Sequence, residues 1–316
     1  MNRLIFCTVV GALCTSGSFA SFELMLIADQ TASGGRVVRV DPETRASLGS
    51  FGLGKIAGNI RDIAVDQSLG RCYVLGSSLV SEFNYNTGEF ISAFTVGSFS
   101  QSISFAPSTG HLITSGHGTS NVDPIRRYKN GATVNSVSTG FSTSGVAELG
   151  GQQFVGVGNS SSAPTIVSVP STSTTDIVAH TSTLPNGLVN SYRDLTVAGG
   201  KLWASYVDAD SIVRLRSFSV TGGLLNTPTD SATLFGSFTS ERISLATGHG
   251  DVIYLLRGSN LYTYHAPSNT YLGDFTVPGL TSGGGRGMAL IVAPEPASCV
   301  ALGLGALAVM RRRRGQ

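Results

Sequence analysis

The chain has 316 residues and a formal net charge of +2, and only 13% of its residues are charged. Much of the positive charge is terminal: without Arg3, Glu295 and the arginines 311–314, the chain has 16 Lys and Arg against 18 Asp and Glu. A chain with this balance has no basic face for nucleic acid, so that class of partner is excluded.

The first 20 residues have the three parts of a secretory signal peptide. Residues 1–3 form a short basic region, residues 4–13 are apolar, and small residues stand at positions −3 and −1 before Ser21. Segments of this kind are removed during export. We therefore predict an exported protein that is cleaved between Ala20 and Ser21.

The composition of the middle of the chain indicates an all-β fold. The 40 glycines are interspersed with short clusters that contain most of the 15 Phe, the 9 Tyr and many Val, Ile and Leu residues. Short apolar clusters separated by turn residues at regular spacing are typical of β-strands joined by turns.

A cycle of four strand patterns recurs along this region. In one cycle the patterns occupy residues 61–66, 72–76, 80–84 and 90–96, and four further cycles begin near residues 102, 145, 193 and 242. In the last but one of these, the fourth strand is predicted at 232–235. A Val or aromatic residue of the third pattern recurs at steps of 43, 45, 41, 49 and 46 residues: Val40, Phe83, Tyr128, Val169, Phe218 and Tyr264. A four-stranded unit of this length is typical of a propeller blade.

The two ends of the region complement each other. Residues 23–28, 37–40 and 46–51 fit the second, third and fourth patterns, and the missing first pattern is supplied by residues 287–292. The sequence thus predicts a six-bladed β-propeller over residues 21–292, closed by pairing of the N- and C-terminal strands, which removes exposed sheet edges. The alternatives are seven blades, by finer division of residues 130–240, or a β-sandwich or β-helix of the same composition.

Two runs of the repeat resemble a known class of propeller. Asp-Ile-Ala-Val-Asp at 62–66 and Tyr-Val-Leu-Gly at 73–76 are similar to motifs of divergent NHL-type and YVTN-type propellers. The resemblance implies a propeller fold and a protein that binds through its surface. It carries over no functional residue.

The C-terminal 24 residues have a distinct organisation. Pro294, Glu295 and Pro296 precede an apolar run at 297–310, which is followed by a basic cluster of Arg311, Arg312, Arg313 and Arg314. As a helix the apolar run would measure about 21 Å, which is short of the ~30 Å hydrocarbon core of a bilayer. The arginines hold their end on the cytoplasmic side. We interpret this tail as a signal that is removed after export. The alternatives are a permanent tail anchor and a buried core helix.

This tail, over residues 293–316, resembles the PEP-CTERM sorting signal of bacterial envelope and extracellular-matrix proteins. The resemblance implies transient anchoring in the inner membrane, recognition by an exosortase-type transpeptidase and cleavage near Pro294–Pro296. It also implies transfer or release to the cell surface, and it implies nothing about the activity of the exported domain.

No catalytic constellation stands out between the two ends. The five histidines lie in turns or at strand ends without zinc-like spacing, so no metal site is predicted at them: His111, His117, His180, His249 and His265. Asp208 and Asp210 could bind Ca²⁺ through their oxygens, but turn formation is the favoured role. No other cofactor is predicted.

Several other residues have two interpretations each. Asp62, Asp66 and Asp194, at the edges of first strands, either point into a central channel or cap turns. Cys72 is expected to be a buried inert thiol, and residues 283–287 a flexible approach to the closing strand. Five aromatic residues either stack on sugar rings or, as we favour, pack between blades: Trp203, Tyr206, Tyr262, Tyr264 and Tyr271.

The sequence therefore predicts an exported propeller that works by binding or by structural display, with an extracellular polysaccharide or another envelope protein as its partner. A propeller hydrolase, lyase or lactonase that acts on extracellular polysaccharide is the alternative from another class. A purely architectural matrix component is a third.

Overall fold

The computed structural model describes residues 23–97, 100–116, 124–138, 143–157, 165–170, 178–181, 192–208, 210–226, 228–231, 235–237 and 242–292. Residues Leu24–Ile291 form one compact unit. Within the described residues, the strands form six four-stranded sheets and one two-stranded hairpin. The prediction of a six-bladed β-propeller is confirmed, and the alternatives of seven blades, a sandwich or a β-helix are wrong.

The blades are numbered in chain order from the N-terminal strand. The strands of blades 1 to 3 are β1 (Glu23–Thr31), β2 (Gly34–Asp41), β3 (Ala46–Ile56), β4 (Asp62–Asp66), β5 (Arg71–Leu75), β6 (Leu79–Asn84), β7 (Phe90–Thr95), β8 (Ser100–Ala106), β9 (His111–Gly116), β10 (Pro124–Lys129) and β11 (Ala132–Ser138). Those of blades 4 and 5 are β12 (Thr143–Leu149), β13 (Gln152–Val157), β14 (Thr165–Pro170), β15 (Val178–Thr181), β16 (Asp194–Ala198), β17 (Lys201–Val207), β18 (Val213–Phe218), β19 (Val220–Thr221), β20 (Leu224–Leu225) and β21 (Thr229–Asp230). The remainder are β22 (Ile243–Thr247), β23 (Val252–Arg257), β24 (Asn260–His265), β25 (Thr270–Thr276) and β26 (Gly285–Val292).

Blade 1 is built from both ends of the described chain. Its strand order is β26-β1-β2-β3, so the last strand takes the inner position and pairs with the first. Asp29 on β1 is fully buried and holds the approach to β26, accepting hydrogen bonds from the backbone N–H and the hydroxyl of Thr281. The backbone N–H of Gln30 also donates to the carbonyl of Gly284, at 2.9 Å. The predicted closure is therefore observed, and residues 281–284 are tied to β1 by hydrogen bonds.

The core consists of six apolar layers, each of which lies between two successive blades. This arrangement explains the continuous apolar runs of the second strands, because both faces of these strands are buried. In β5, for example, Cys72 and Val74 pack toward blade 1, whereas Tyr73 and Leu75 pack toward blade 3. The fourth strands β3, β7 and β25 are largely exposed at the periphery.

Blade 5 departs from the predicted cycle. The hairpin β19–β20 is inserted after its third strand, and the fourth strand β21 lies at Thr229–Asp230 rather than at 232–235. The edge segment continues beyond β21, because the N–H of Phe235 donates to the carbonyl of Val213 at 2.9 Å. Phe235, the last residue of the predicted strand, thus lies on this edge segment, and residues 232–234 lie outside the described residues.

Candidate functional site at the axial channel

The sorting and processing residues predicted from the sequence lie outside the described residues. These are Ala20, Ser21, Pro294, Glu295, Pro296, Arg311, Arg312, Arg313 and Arg314. The signal-peptide cleavage and the use of the Pro-Glu-Pro motif stay predictions. The site described below therefore belongs to the propeller alone.

The six inner strands begin with a polar ring that repeats after three blades. One equivalent position of each inner strand lies directly before Ile63, Ile103, Val146, Leu195, Leu245 or Met288. From blade 2 round to blade 1 it is occupied by Asp62, Ser102, Gly145, Asp194, Ser244 and Gly287. We call these six residues the Asp-Ser-Gly ring. In a six-bladed ring, residues three blades apart face each other across the axis. The two aspartates are therefore opposite each other, as are the two serines and the two glycines.

Asp62 ties blade 2 to blade 3. Its Oδ1 accepts the N–H of Ile63 at 2.8 Å, and its Oδ2 accepts the hydroxyl of Ser102 at 2.8 Å and the N–H of Ile103 at 2.9 Å. The carboxylate is 8% exposed, and both of its oxygens are engaged. Asp62 is therefore a buried bridge between two blades in the channel wall.

Asp194 repeats this arrangement on the opposite side. Its Oδ1 accepts the N–H of Leu195 at 2.8 Å, and its Oδ2 accepts the N–H of Leu245 in blade 6 at 2.6 Å. The hydroxyl of Ser244 hydrogen-bonds to the same carboxylate and accepts the N–H of Met288 in blade 1 at 3.1 Å. One chain of hydrogen bonds thus connects blades 5, 6 and 1.

The two glycines of the ring allow the neighbouring blades to approach. A Cβ at Gly287 would lie 2.5 Å from the Cα of Asp62, and one at Gly145 would lie 2.6 Å from the Cα of Asp194. Because the obstructing atoms are backbone, a larger residue at either position would push two blades apart.

Burial alters the acidity of both carboxyl groups. It raises the pKa of Asp62 to about 6, against hydrogen bonds from Ile103 and Ser102 that lower it. Burial and the charge of Asp62 raise the pKa of Asp194 well above its ordinary value. The two acids therefore retain protons at a pH at which an exposed aspartic acid has lost its own.

The raised pKa of Asp62 predicts a pH dependence of stability. The unfolded chain releases the Asp62 proton near pH 4, whereas the folded protein keeps it up to about pH 6. Protonation of Asp62 thus stabilises the folded protein, fully so below about pH 4. This stabilisation is lost as the pH rises through about 6, which lowers the free energy of unfolding by roughly 3 kcal/mol. Urea unfolding of wild type and Asp62→Asn at pH 4, 5, 6 and 7 measures this loss of unfolding free energy. An equal loss in both proteins would contradict the assignment to Asp62.

Arginines gather at the same end of the channel. Arg61, Arg193 and Arg286 each precede a member of the ring by one residue, and Arg242 precedes Ser244 by two. Arg242 donates from Nη1 to the carbonyl of Gln101 at 3.2 Å and from Nη2 to its amide oxygen. Because Arg242 belongs to blade 6 and Gln101 to blade 3, this side chain crosses the channel axis.

The local charge at this mouth is positive. Burial and the charge of Arg61 lower the pKa of Arg242 to about 10, and Arg286 and Arg193 act in the same direction against Asp62. Burial also lowers the pKa of Arg193. Several guanidinium cations therefore lie next to the ring.

A cavity of about 370 Å³ lies within the channel and touches all six inner strands. Asp62 and Asp194 line it together with apolar residues such as Ile63, Leu195 and Met288. The arginines lie on the preceding side of the ring. The ring therefore stands between this cavity and a cationic mouth.

The other candidate acids have structural partners. Asp66 caps a turn, because its Oδ1 accepts the N–H and hydroxyl of Ser68 and the N–H of Leu69. Asp208 accepts the N–H of Ile212 and pairs with Arg214. Burial acts to raise the pKa of Asp208, but the hydrogen bonds from Arg214 and Ile212 outweigh it and leave the pKa lowered. Asp208 is therefore a turn former, and calcium binding near it stays an untested alternative.

The described part of the chain contains no group of three or more His, Cys, Asp or Glu side chains placed to hold a metal ion. His111 begins β9, where burial and the charges of Lys129 and Arg127 lower its pKa. His265 contacts the hydroxyl of Ser268 at 2.6 Å, and His249 lies in a short 3₁₀ turn. His117 and the side chain of His180 lie outside what the structure describes.

The aromatic candidates pack mainly between blades 5 and 6, as we favoured. Trp203 and Tyr264 are buried with ring centroids 5.7 Å apart, and Phe235 contacts the rings of Tyr262 and Tyr264. Tyr271 is 38% exposed at the periphery of blade 6. These residues stabilise the core and form no platform at the channel.

Cys72 is buried between blades 1 and 2, as expected. Burial raises the pKa of its thiol to about 12. A thiol of this kind is not ionised at neutral pH and is a poor nucleophile.

Sequence reasoning gave the channel as one of two interpretations of Asp62 and Asp194, favoured turn capping, and missed their partners. It did not find Ser102, Ser244, the two ring glycines or the arginine cluster. An alignment of the six inner-strand starts would have shown the order Asp, Ser, Gly repeated once, with Arg before three of the six positions.

Solved structures with the same fold support the architecture. The chain is similar to a chain of a nidogen/laminin complex (TM-score 0.63, 15% identity, 85% of this chain and 98% of that one). It is also similar to hydrazine synthase of Kuenenia stuttgartiensis (TM-score 0.56, 14% identity, 76% and 72%). A third is the β-propeller domain of Cps50 (Swd1) from Myceliophteria thermophila (TM-score 0.53, 10% identity, 80% and 83%). At these identities the similarity shows the fold alone.

No curated protein matches the sequence. By fold and channel, the protein is a six-bladed β-propeller with a cationic channel mouth.

Residues 292–314 match the PEP-CTERM protein-sorting motif, which confirms the predicted resemblance of the tail. The motif indicates an exported protein whose C-terminal tail is anchored in the membrane before an exosortase-type enzyme processes it. Within the part of the chain that the structure describes, no helix has both the length and the apolar character needed to cross a bilayer.

Proposed function

We propose that this protein is sorted to the cell surface or the extracellular matrix, where its propeller acts as a binding or structural module. The partner is an extracellular polysaccharide or another envelope protein. In this account the ring presents its channel mouth and the loops around it, and the tail serves only delivery. The tail is removed by an exosortase-type transpeptidase near Pro294–Pro296.

The position of the sorting motif carries this proposal. The match begins at Val292, which is also the last residue of the closing strand β26. The six sheets of the described chain need no residue beyond Val292. Cleavage in the Pro-Glu-Pro segment would therefore release a propeller that keeps all of these strands, as a delivered module requires.

The channel geometry favours binding over catalysis. A hydrolase, lyase or lactonase would need a carboxylate or base with lone pairs available to a substrate. The oxygens of Asp62 and Asp194 instead accept backbone N–H groups and hydroxyls of the adjacent blades. These acids fix the ring, whereas the Nε of the neighbouring Arg61 is a donor without a partner in the described chain.

Fractionation of the native host tests the sorting part of the proposal. We expect wild-type protein in the surface or extracellular fraction, and a variant with Pro294, Glu295 and Pro296 all replaced by Ala in the membrane fraction with its tail intact. Pro278→Ala, in an exposed turn before β26, is the matched control and is expected to distribute like wild type. A triple variant that is distributed like wild type would contradict sorting through this motif.

A further inference from the structure

Arginines from four blades surround the channel mouth next to the Asp-Ser-Gly ring. Blades 1, 2, 5 and 6 contribute Arg286, Arg61, Arg193 and Arg242, respectively. Each stands one or two residues before a ring position, and contacts join the ring positions of blades 4, 5, 6, 1, 2 and 3 in that order. The four side chains therefore begin within one residue of the same level of the channel.

Arg242 lies across the axis. Its guanidinium reaches the main-chain and side-chain oxygens of Gln101 in the opposite blade. The charges of Arg61, Arg193 and Arg286 all act on it and lower its pKa, so these arginines lie within electrostatic range of Arg242. A ligand that approaches along the axis would thus meet a guanidinium first.

The positive charges at the channel mouth outnumber the negative charges that pair with them. Among the described residues, no carboxylate lies at ion-pair distance from Arg61, Arg242 or Arg286. The Nε of Arg61 is buried without a hydrogen-bond partner in the described chain. The two acids of the ring, Asp62 and Asp194, give their oxygens to neighbouring blades. Guanidinium groups in such a setting bind planar oxyanions through paired N–H donors.

We propose that Arg61, Arg193, Arg242 and Arg286 form an oxyanion site at the channel mouth that takes a carboxylate of an acidic extracellular polysaccharide. The inference rests on the proposed function, which supplies the extracellular setting, and it narrows the partner to a polymer with acidic groups. The arginines come from four blades around one channel mouth. They therefore suit one acidic group of a chain end or side branch.

Binding of the mature propeller, residues 21–292, to defined probes tests this site. The probes are polygalacturonate as a carboxylated polymer, dextran as a neutral polymer and inorganic phosphate alone. We expect wild type to bind polygalacturonate and not dextran, with affinity that falls as salt is added. Phosphate is expected to compete and to raise the melting temperature, because it binds only the folded state.

Matched variants assign the binding to the arginines. Arg61→Gln with Arg286→Gln is expected to weaken polygalacturonate binding at least ten-fold, whereas replacement of both by Lys retains more of it. Lys129→Gln with Lys201→Gln removes the same charge from exposed positions elsewhere and is expected to leave the affinity unchanged. Circular dichroism checks that each variant is folded.

Several outcomes would overturn the site. They are equal binding by wild type and the Arg-to-Gln variant, equal binding of dextran and polygalacturonate, and no binding of either charged probe by wild type. Phosphate binding without polymer binding would overturn the assignment to a polysaccharide. None of these results affects the fractionation experiment, so failure of the site and failure of sorting are distinguishable.

Discussion

A mature chain that ends at Gly284 is expected to show no cooperative unfolding transition. The truncation removes β26, the inner strand of blade 1, and leaves β1 as an unpaired inner edge. It also removes Met288, Leu290 and Ile291, which are each less than 10% exposed in the layers on either side of blade 1. Burial of three such side chains contributes roughly 1.5–3 kcal/mol each, which is comparable with the whole stability of a typical domain, about 5–15 kcal/mol.

The matched control ends at Val292 and lacks only the tail. It is expected to melt cooperatively, because the six sheets of the described chain are complete in it. Thermal melts by circular dichroism and size-exclusion chromatography of both chains make the comparison. A cooperative transition in the chain that ends at Gly284 would contradict closure of the ring by β26.

Substitution of Asp62 by Ala is expected to be the most damaging single change in the channel wall. It leaves three donors without their acceptor: the N–H groups of Ile63 and Ile103 and the hydroxyl of Ser102. Each unsatisfied buried donor costs about 1–3 kcal/mol, and removal of a buried acid offsets part of this. We expect a net loss of about 3 kcal/mol in the free energy of unfolding at pH 7.

Asp66→Ala is the matched control, because Asp66 lies on the same strand and also accepts three hydrogen bonds. Its donors are in a turn whose residues Ser68 and Leu69 are exposed, so water can replace the carboxylate. We expect a loss of about 1 kcal/mol. Urea unfolding measures the free energy of unfolding of both variants. Equal losses would contradict the role of Asp62 as a buried hydrogen-bond bridge between blades 2 and 3.

The fold was predictable because its signals are local. Apolar runs such as 72–75 recur at blade spacing, and residues 287–292 supply the one pattern that the N-terminal blade lacks. Burial of both faces of the second strands leaves few arrangements for such runs. The inserted hairpin of blade 5 was missed because Val220–Thr221 and Leu224–Leu225 are too short to show a period.

The site was only partly predictable because it depends on which residues meet after the ring closes. The same residue type has two roles: Asp66 caps a turn, whereas Asp62 and Asp194 bridge blades in the channel wall. The contact of Arg242 with Gln101 joins residues 141 positions apart. Neither residue is unusual in its local sequence, so the contact follows only from the opposition of blades 3 and 6.

The intact mass of the protein recovered from the surface or medium of its native host tests the central claim most directly. The account predicts a form that begins at Ser21, includes Val292 and ends near Pro294–Pro296. That form would retain every strand of the propeller. A recovered protein that still contains Arg311–Arg314 would contradict delivery by tail removal, and its function would then have to be sought at the membrane.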